Sequence, residues 1–139
     1  MTVGLSSSAR QIFQNDYFNV LVDERVRIVR TVRNDKPFAS IEELDVVFTQ
    51  LGDALDALGR ERYALLADLR AAPGRNDAEF ETTMLRLRPR WVGGFRKVGV
   101  LVRSTVGLLQ IQRHRREDGE ERLVSKDEDE LLKYLTHED

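Results

Sequence analysis

Two segments early in the chain have the side-chain pattern of a β-hairpin. Residues 17–22 are rich in aromatic and β-branched side chains, and residues 26–33 alternate between a mostly apolar face and a mixed face. A charged turn separates the two segments, which predicts a pair of antiparallel strands. We interpret residues 1–16, which precede the hairpin, as an N-terminal lead-in that at most docks Ile12 and Phe13 through a short turn.

The segment from Ser40 to Gly59 predicts a long amphipathic helix. Ser40 and Glu43 form a capping box, in which the Ser40 hydroxyl accepts from the Glu43 amide and the Glu43 carboxylate reaches back to the Ser40 amide. Apolar residues then recur every three or four positions, as in a helix that packs on a core. They are Ile41, Leu44, Val47, Phe48, Leu51, Ala54, Leu55 and Leu58. Gly59 is the predicted C-cap.

Three apolar runs predict strands in the rest of the chain. Residues 63–69 and 98–102 are continuous enough to be covered on both faces, and residues 122–124 form a shorter strand. Helical patterns separate and follow these runs, so the predicted order is β-β-α-β-α-β-α-β-α. This order predicts an α/β fold: a mixed β-sheet with an N-terminal hairpin, about four helices and right-handed crossovers.

Three helices are predicted after the first. A capping signature at residues 76–79 begins the second helix, and Pro89 indicates a boundary or kink near Arg88. Residues 106–116 are predicted as the third helix, although an alternation within them also fits a strand. A capping box beginning at Ser125 starts the last helix.

Length and composition place the chain among single globular domains. Its 139 residues, of which 41% are hydrophobic, fit one core, and we assign the domain to residues 17–136. The absence of cysteine excludes disulfides and thiolate chemistry. The sequence has no pattern of a secretory signal and no apolar run near the roughly 20 residues that span a membrane. We therefore expect a cytoplasmic protein without a membrane span.

The charges are unevenly distributed along the chain. Residues 82–116 hold nine basic and no acidic residues, whereas residues 117–139 hold ten acidic and three basic residues. Either the two stretches pair with each other in the fold, or the basic stretch contacts an anionic partner. The acidic stretch that follows the basic one argues against nucleic acid as that partner.

Several segments together resemble the STAS (anti-sigma-factor-antagonist) domain. The similarity covers roughly residues 17–135 and is carried by residues 63–70, 95–102, 106–110 and the closing helix 125–135. It implies the superfold that STAS domains share with the CRAL-TRIO lipid carriers. The chain resembles a group of small bacterial STAS-like, or SpoIIAA-like, proteins.

The resemblance also implies a place for a regulatory phosphoserine, at the start of the helix after the third strand. Residues 68–76 occupy that place and contain neither serine nor threonine, so the usual phospho-switch is not expected. If phosphorylation regulates this chain, Ser104 and Thr105 are the candidate acceptors, because a phosphate is electrostatically favoured at a helix start.

Few residues indicate catalysis or metal binding. His114 and His137 have no second ligand at metal-binding spacing, and no nucleophile elbow, Walker loop or dinucleotide motif occurs. Asp68 ends a strand and is a candidate general base, but a capping role or a salt bridge with Arg70 or Arg103 is the preferred interpretation. We expect no enzyme activity, no catalytic residue, no metal and no cofactor.

One constellation suggests a binding site. In open α/β sheets, ligands bind beyond the carboxyl ends of parallel strands. If the strands ending at residues 69 and 102 are parallel neighbours, two loops meet there, and each begins a helix whose amides favour an anion. The candidate anion- or ligand-binding residues are Arg70, Arg75, Asn76, Arg103, Ser104 and Thr105. The alternative interpretation is that the arginines pair with the nearby acidic residues, which are Asp68, Asp77 and Glu79.

These observations favour a non-enzymatic regulatory module that binds a protein partner, and a small anion, at this edge of the sheet. The alternative is a small-molecule or lipid-binding carrier of the same superfold. A large apolar cavity under a helix would favour the carrier, and a fully packed core would favour the module.

Overall fold

A single mixed sheet of six strands organises the molecule. The computed structural model describes residues 9–74, 77–104 and 122–137. The strands lie in sequence order across the sheet. They are β1 (Arg10–Gln14), β2 (Phe18–Asp23), β3 (Ile28–Arg33), β4 (Ala64–Asp68), β5 (Val98–Leu101) and β6 (Leu123–Ser125). β1, β2 and β3 are antiparallel, whereas β3, β4, β5 and β6 are parallel. The predicted α/β class and mixed sheet are confirmed.

β1 adds a strand to the predicted hairpin. It pairs antiparallel with β2, with an irregular register between Gln11 and Phe13, and its partly buried Ile12 and Phe13 pack against the core. Asn15 forms the turn, since its Oδ1 accepts from the Tyr17 amide at 2.9 Å and from the next amide at 2.8 Å. The described residues therefore begin with the order β-β-β, and the expected element order is wrong at this point.

The first helix, α1 (Ile41–Leu58), begins and ends where the sequence predicts. Ser40 is its N-cap and accepts from the Glu43 amide at 3.2 Å. The Glu43 carboxylate reaches back to the Ala39 amide, one residue earlier than expected, and also accepts from the Tyr17 hydroxyl at 2.8 Å. Gly59 ends the helix with a φ of 91°, a conformation that favours glycine.

The second helix, α2 (Ala78–Val92), has Asp77 as its N-cap, and the Asp77 side chain accepts from the Phe80 amide. It continues through Pro89, so the expected boundary near Arg88 is wrong. Pro89 lies in the last turn and has no N–H to donate. Only the carbonyl of Leu85 therefore loses its usual helical partner, and Leu85 is an exposed residue. Gly93 is the C-cap, and its amide donates to the Pro89 carbonyl.

The last described helix, α3 (Glu128–Thr136), is capped by Asp127 and not by Ser125. The Asp127 carboxylate accepts from two amides of the first turn. Ser125 ends β6, and its hydroxyl instead accepts from the Asp127 amide at 3.0 Å. The third predicted helix, residues 106–116, lies outside the described residues, so the description holds three α-helices where about four are expected.

The helices cover the two faces of the sheet unequally. α1 and α2 lie side by side on one face, over the larger core that includes Phe18, Leu51, Leu65 and Trp91. α3 lies on the other face, over a smaller core. That core consists of Ile28, Ala64, Leu66, Leu101, Leu131, Leu132 and Leu135. None of the helices in the described ranges is long and apolar enough to cross a membrane.

Arg60 ties α1 to α2 from the turn after α1. Its guanidinium donates to the Gly52 carbonyl of α1 at 3.2 Å and to the carbonyl of Gly93, just after α2, at 2.8 Å. It also donates to the Arg90 and Trp91 carbonyls. Cationic side chains complement the negative end of a helix dipole, so Arg60 stabilises the end of α2.

Candidate functional site

The carboxyl ends of β4 and β5 meet at one edge of the sheet, as the proposed binding site requires. The two strands are parallel neighbours, with Asp68 paired to Leu101, and the Leu69 amide donates to the Leu101 carbonyl at 2.8 Å. Open α/β sheets bind ligands beyond this edge. We call it the carboxyl edge, consisting of residues 33–34, 68–70 and 102–104.

Arg70 is held at this edge by Asp68. Nε of Arg70 lies 3.0 Å from Oδ1 of Asp68, and Nη2 lies 2.8 Å from Oδ2, so the guanidinium binds the carboxylate through two parallel hydrogen bonds. The Arg70 amide donates to Oδ1 at 3.1 Å. The side chain of Arg70 remains 48% exposed. The predicted salt bridge between Asp68 and Arg70 is confirmed.

Two further residues close an ion-pair network around Asp68. Arg30, buried in β3, places Nη2 2.9 Å from Oδ2 of Asp68 and 2.7 Å from Oε1 of Glu128 at the start of α3. Glu128 also lies 3.4 Å from Nη2 of Arg70. Burial would raise the pKa of Asp68, but hydrogen bonds from Arg70 and Arg30 outweigh it and lower that pKa. Asp68 is therefore a poor general base.

The other candidate residues are only partly described. Arg103 and Ser104 follow β5 and are both exposed, and Arg103 makes no ion pair with any residue that the structure describes. Arg75, Asn76 and Thr105 lie outside the described residues. Thus Arg70 and Arg103 leave adjacent strands at the same edge, and Arg70 is engaged by an acidic neighbour.

Sequence reasoning missed a third arginine at this edge, on the face that α1 and α2 cover. Arg33 ends β3 and is only 4% exposed. Its Cζ lies 4.2 Å from the ring centroid of Phe38, 5.3 Å from that of Tyr17 and 5.9 Å from that of Phe18. The alternation of β3 assigned Arg33 to its mixed face. The available signal was its position, since Arg33 ends a strand at the same edge as Asp68.

Burial lowers the pKa of Arg33 to about 10, opposed by the nearby Tyr17 and Asp35. By contrast, Arg30 has a raised pKa: burial lowers it, but its two carboxylate partners more than compensate. The two buried arginines of β3 therefore differ in their acidic partners. Arg33, which lies on the face that α1 and α2 cover, has no hydrogen bond to a carboxylate of the described residues.

No group of three or more metal-ligating side chains is found within the described ranges. His137 lies at the end of α3, where its carbonyl accepts from Nζ of Lys97 at 2.7 Å. His114 lies outside the described residues.

Comparison with solved structures identifies the architecture. An uncharacterized protein of the DUF3478 family from Shewanella loihica, described as having a SpoIIAA-like fold, aligns with a TM-score of 0.52 over 95% of this chain and 99% of its own, at 15% sequence identity. The chain has a SpoIIAA-like fold. The resemblance to STAS domains is thereby confirmed for the fold. No family model and no curated protein matches the sequence.

Proposed function

We propose that this SpoIIAA-like chain is a non-enzymatic regulatory module that docks a protein partner on its carboxyl edge. The observation that carries the proposal is the presentation of Arg70, Arg103 and Ser104 from the ends of two adjacent parallel strands. Arginine is enriched among the residues that dominate protein interfaces.

The ion-pair network supports docking because it holds Arg70 in one geometry. Asp68 accepts two hydrogen bonds from the guanidinium and one from the Arg70 amide. A side chain that is already ordered loses less conformational entropy when a partner binds. Arg70 still exposes about half of its side chain, 48%, so a fixed positive group faces solvent there.

The same edge is also proposed to take a small anion, through Arg103 and the exposed part of Arg70. Neither the docking surface nor this anion site requires a catalytic group. The acidic residue best placed for proton transfer, Asp68, is engaged by Arg30 and Arg70, which supports a binding role for the edge.

The packing under α1 favours the module over a lipid carrier. Leu44, Leu51 and Leu55 on its inner face are fully buried. The rings of Phe18, Phe48 and Trp91 contact one another with centroids 5.4–5.7 Å apart. Aromatic side chains packed at such distances fill the space beneath the helices.

Affinity capture from cells that express the chain tests the docking surface with two matched variants. Arg103→Glu reverses a charge at the carboxyl edge, and Arg96→Glu makes the same change at an exposed residue before the opposite end of β5. We expect the wild type and Arg96→Glu to retain the same specific partner, and Arg103→Glu to lose it. Equal recovery by Arg103→Glu would refute docking at this edge, and no specific partner in any sample would refute the module.

A further inference from the structure

Arg33 is a buried cation whose hydrogen bonds are incomplete. Only Nη1 is bonded, to the main-chain oxygen of Asn34 at 2.7 Å and to its Oδ1 at 2.9 Å. Nε and Nη2 donate to no residue that the structure describes. Neither atom is among the described side-chain atoms that are fully buried without a partner, although Arg33 as a whole is only 4% exposed. Buried charges in proteins are ordinarily paired with an opposite charge.

Arg70 shows how the same pair of atoms is used elsewhere in this fold. Its Nε and Nη2 donate in parallel to the two carboxylate oxygens of Asp68, at 3.0 and 2.8 Å. These two N–H groups lie on one edge of a guanidinium, and their spacing matches a carboxylate. In Arg33, at the end of the neighbouring strand β3, this same edge has no hydrogen-bond partner among the described residues.

The surroundings of Arg33 fix its guanidinium and restrict what can bind. The rings of Tyr17, Phe18 and Phe38 lie within 5.9 Å of Cζ. Phe38 is only partly buried, so part of its side chain remains accessible next to Arg33.

The nearby charges disfavour a doubly charged anion at Arg33. Asp35 lies close enough to raise the Arg33 pKa. The Glu43 carboxylate accepts from the Tyr17 hydroxyl. Lys36 lies over the Tyr17 ring and pairs with Asp16 at 3.5 Å. Three carboxylates beside two cations disfavour a doubly charged phosphate more than a singly charged carboxylate.

We propose that Arg33 binds the carboxylate of a small organic acid, whose apolar body lies against the exposed ring surface of Phe38. Nε and Nη2 supply two parallel hydrogen bonds, as they do in the contact between Arg70 and Asp68. The site lies on the same carboxyl edge as the proposed docking surface, but it needs no part of Arg103 or Ser104. The carboxylate of the ligand supplies the opposite charge for the buried guanidinium of Arg33.

Arginine side-chain NMR tests this assignment on the whole chain. The ¹⁵Nε–H signal of Arg33, assigned through its own side-chain carbons, is followed while benzoate, acetate or inorganic phosphate is added at constant ionic strength and pH. We expect a saturable shift with benzoate and a dissociation constant at least about tenfold higher for acetate, which lacks the apolar body. Phosphate should bind more weakly than benzoate.

Two variants distinguish the effect of the two parallel N–H donors of Arg33 from the effect of its positive charge. Arg33→Lys keeps the positive charge and loses the parallel donors, and we expect it to weaken benzoate binding at least about tenfold when backbone amides near Phe38 are followed. Arg103→Lys, the matched exchange at an exposed arginine, should change that constant less than about twofold. If Arg33→Lys does not fold, the wild-type Nε titration decides alone.

Three results would overturn the proposal. They are the absence of a saturable Arg33 Nε shift with benzoate, unchanged benzoate affinity in folded Arg33→Lys, and tighter binding of phosphate than of benzoate. Failure of the docking experiment with Arg103→Glu would leave this site unaffected, because that variant does not change Arg33 or Phe38.

Discussion

Arg30 and Asp68 form a buried ion pair between neighbouring parallel strands, with Nη2 of the arginine 2.9 Å from Oδ2 of the aspartate. Val32 of β3 lies beside Asp68 in the register, so Arg30 reaches forward along its own strand to the carboxyl edge. The pair thereby links the interior of the sheet to the surface on which Arg70 lies.

Replacing Asp68 by Asn tests the strength of this pair. The variant leaves Arg30 buried with one carboxylate partner instead of two, and we expect it to lower the free energy of unfolding by about 2–4 kcal/mol at pH 7. Urea unfolding measures the difference. A loss below about 0.5 kcal/mol would show that the network contributes little to stability.

The stability difference between the wild type and Asp68→Asn should depend on pH. The pKa of Asp68 is lower in the folded protein than its ordinary value near 3.9. Its contribution is therefore complete above about pH 4 and is lost as the pH falls through the folded pKa. We expect the stability difference between wild type and Asp68→Asn to shrink below about pH 4 in urea unfolding. A constant difference between pH 7 and pH 2.5 would contradict the assignment.

Arg60→Lys should loosen the attachment of α2 to α1. Arg60 reaches the carbonyls of Gly52 and Gly93 with two different nitrogens, Nη2 and Nη1, and a lysine offers a single nitrogen, so buried oxygens lose donors. We expect a loss of about 1–3 kcal/mol in chemical denaturation. Arg62→Lys, at an exposed arginine of the same turn, should cost less than about 0.5 kcal/mol. Equal effects of the two exchanges would argue against the role of Arg60.

Leu51→Ala should show the cost of a cavity under α1. Leu51 is fully buried, and its truncation should cost about 2–5 kcal/mol. Val46→Ala on the same helix removes an apolar side chain that is 56% exposed, and it should change stability by about 0.5 kcal/mol or less. The assigned inner face of α1 would be wrong if the two variants unfolded at the same denaturant concentration.

Phosphate should stabilise the wild type more than chloride does at equal ionic strength, if the carboxyl edge binds an anion near Arg103. Binding to the folded state raises the melting temperature, but phosphate also stabilises proteins by exclusion from their surfaces. The decisive comparison is between Arg103→Ala and Arg96→Ala. We expect only Arg103→Ala to lose the additional stabilisation, and an identical gain in both variants would exclude specific binding by Arg103.

Ser104 is the described candidate for phosphorylation. It is exposed at the carboxyl edge, two residues after the buried Val102, and an added phosphate would place about two negative charges beside Arg103. Mass spectrometry of the chain from its own cells should detect modification at Ser104 or Thr105. Modification confined to Ser6, Ser7 and Ser8 would remove this hypothesis.

Periodicity predicted the elements that have a strong local signal. α1 is found between its predicted caps, because the stripe from Ile41 to Leu58 and the Ser40 hydroxyl act within a few residues of one another. β1 was missed because its two apolar residues, Ile12 and Phe13, are adjacent, and the strand is irregular at that point. Strict alternation cannot identify an irregular edge strand.

The candidate site was predictable only where its contacts are local. Asp68 and Arg70 are two residues apart, and their pairing followed from that spacing. Glu128 joins them through a helix that the sequence places almost a hundred positions after Arg30. The burial of Arg33 depends on three rings from β2, the loop before it and the loop after β3, a convergence that only the fold creates.

The late position of Glu128 also has a consequence for synthesis on the ribosome. Arg30 and Glu128 are 98 positions apart, and chains are elongated at about 5–20 residues per second. The sheet face that α3 covers, with Ile28 and Leu66, must therefore stay without that cover for roughly 5–20 s after Arg30 is added. During this interval Arg30 has only Asp68 as a carboxylate partner, and the nascent chain displays an apolar surface of the kind that ribosome-bound chaperones shield.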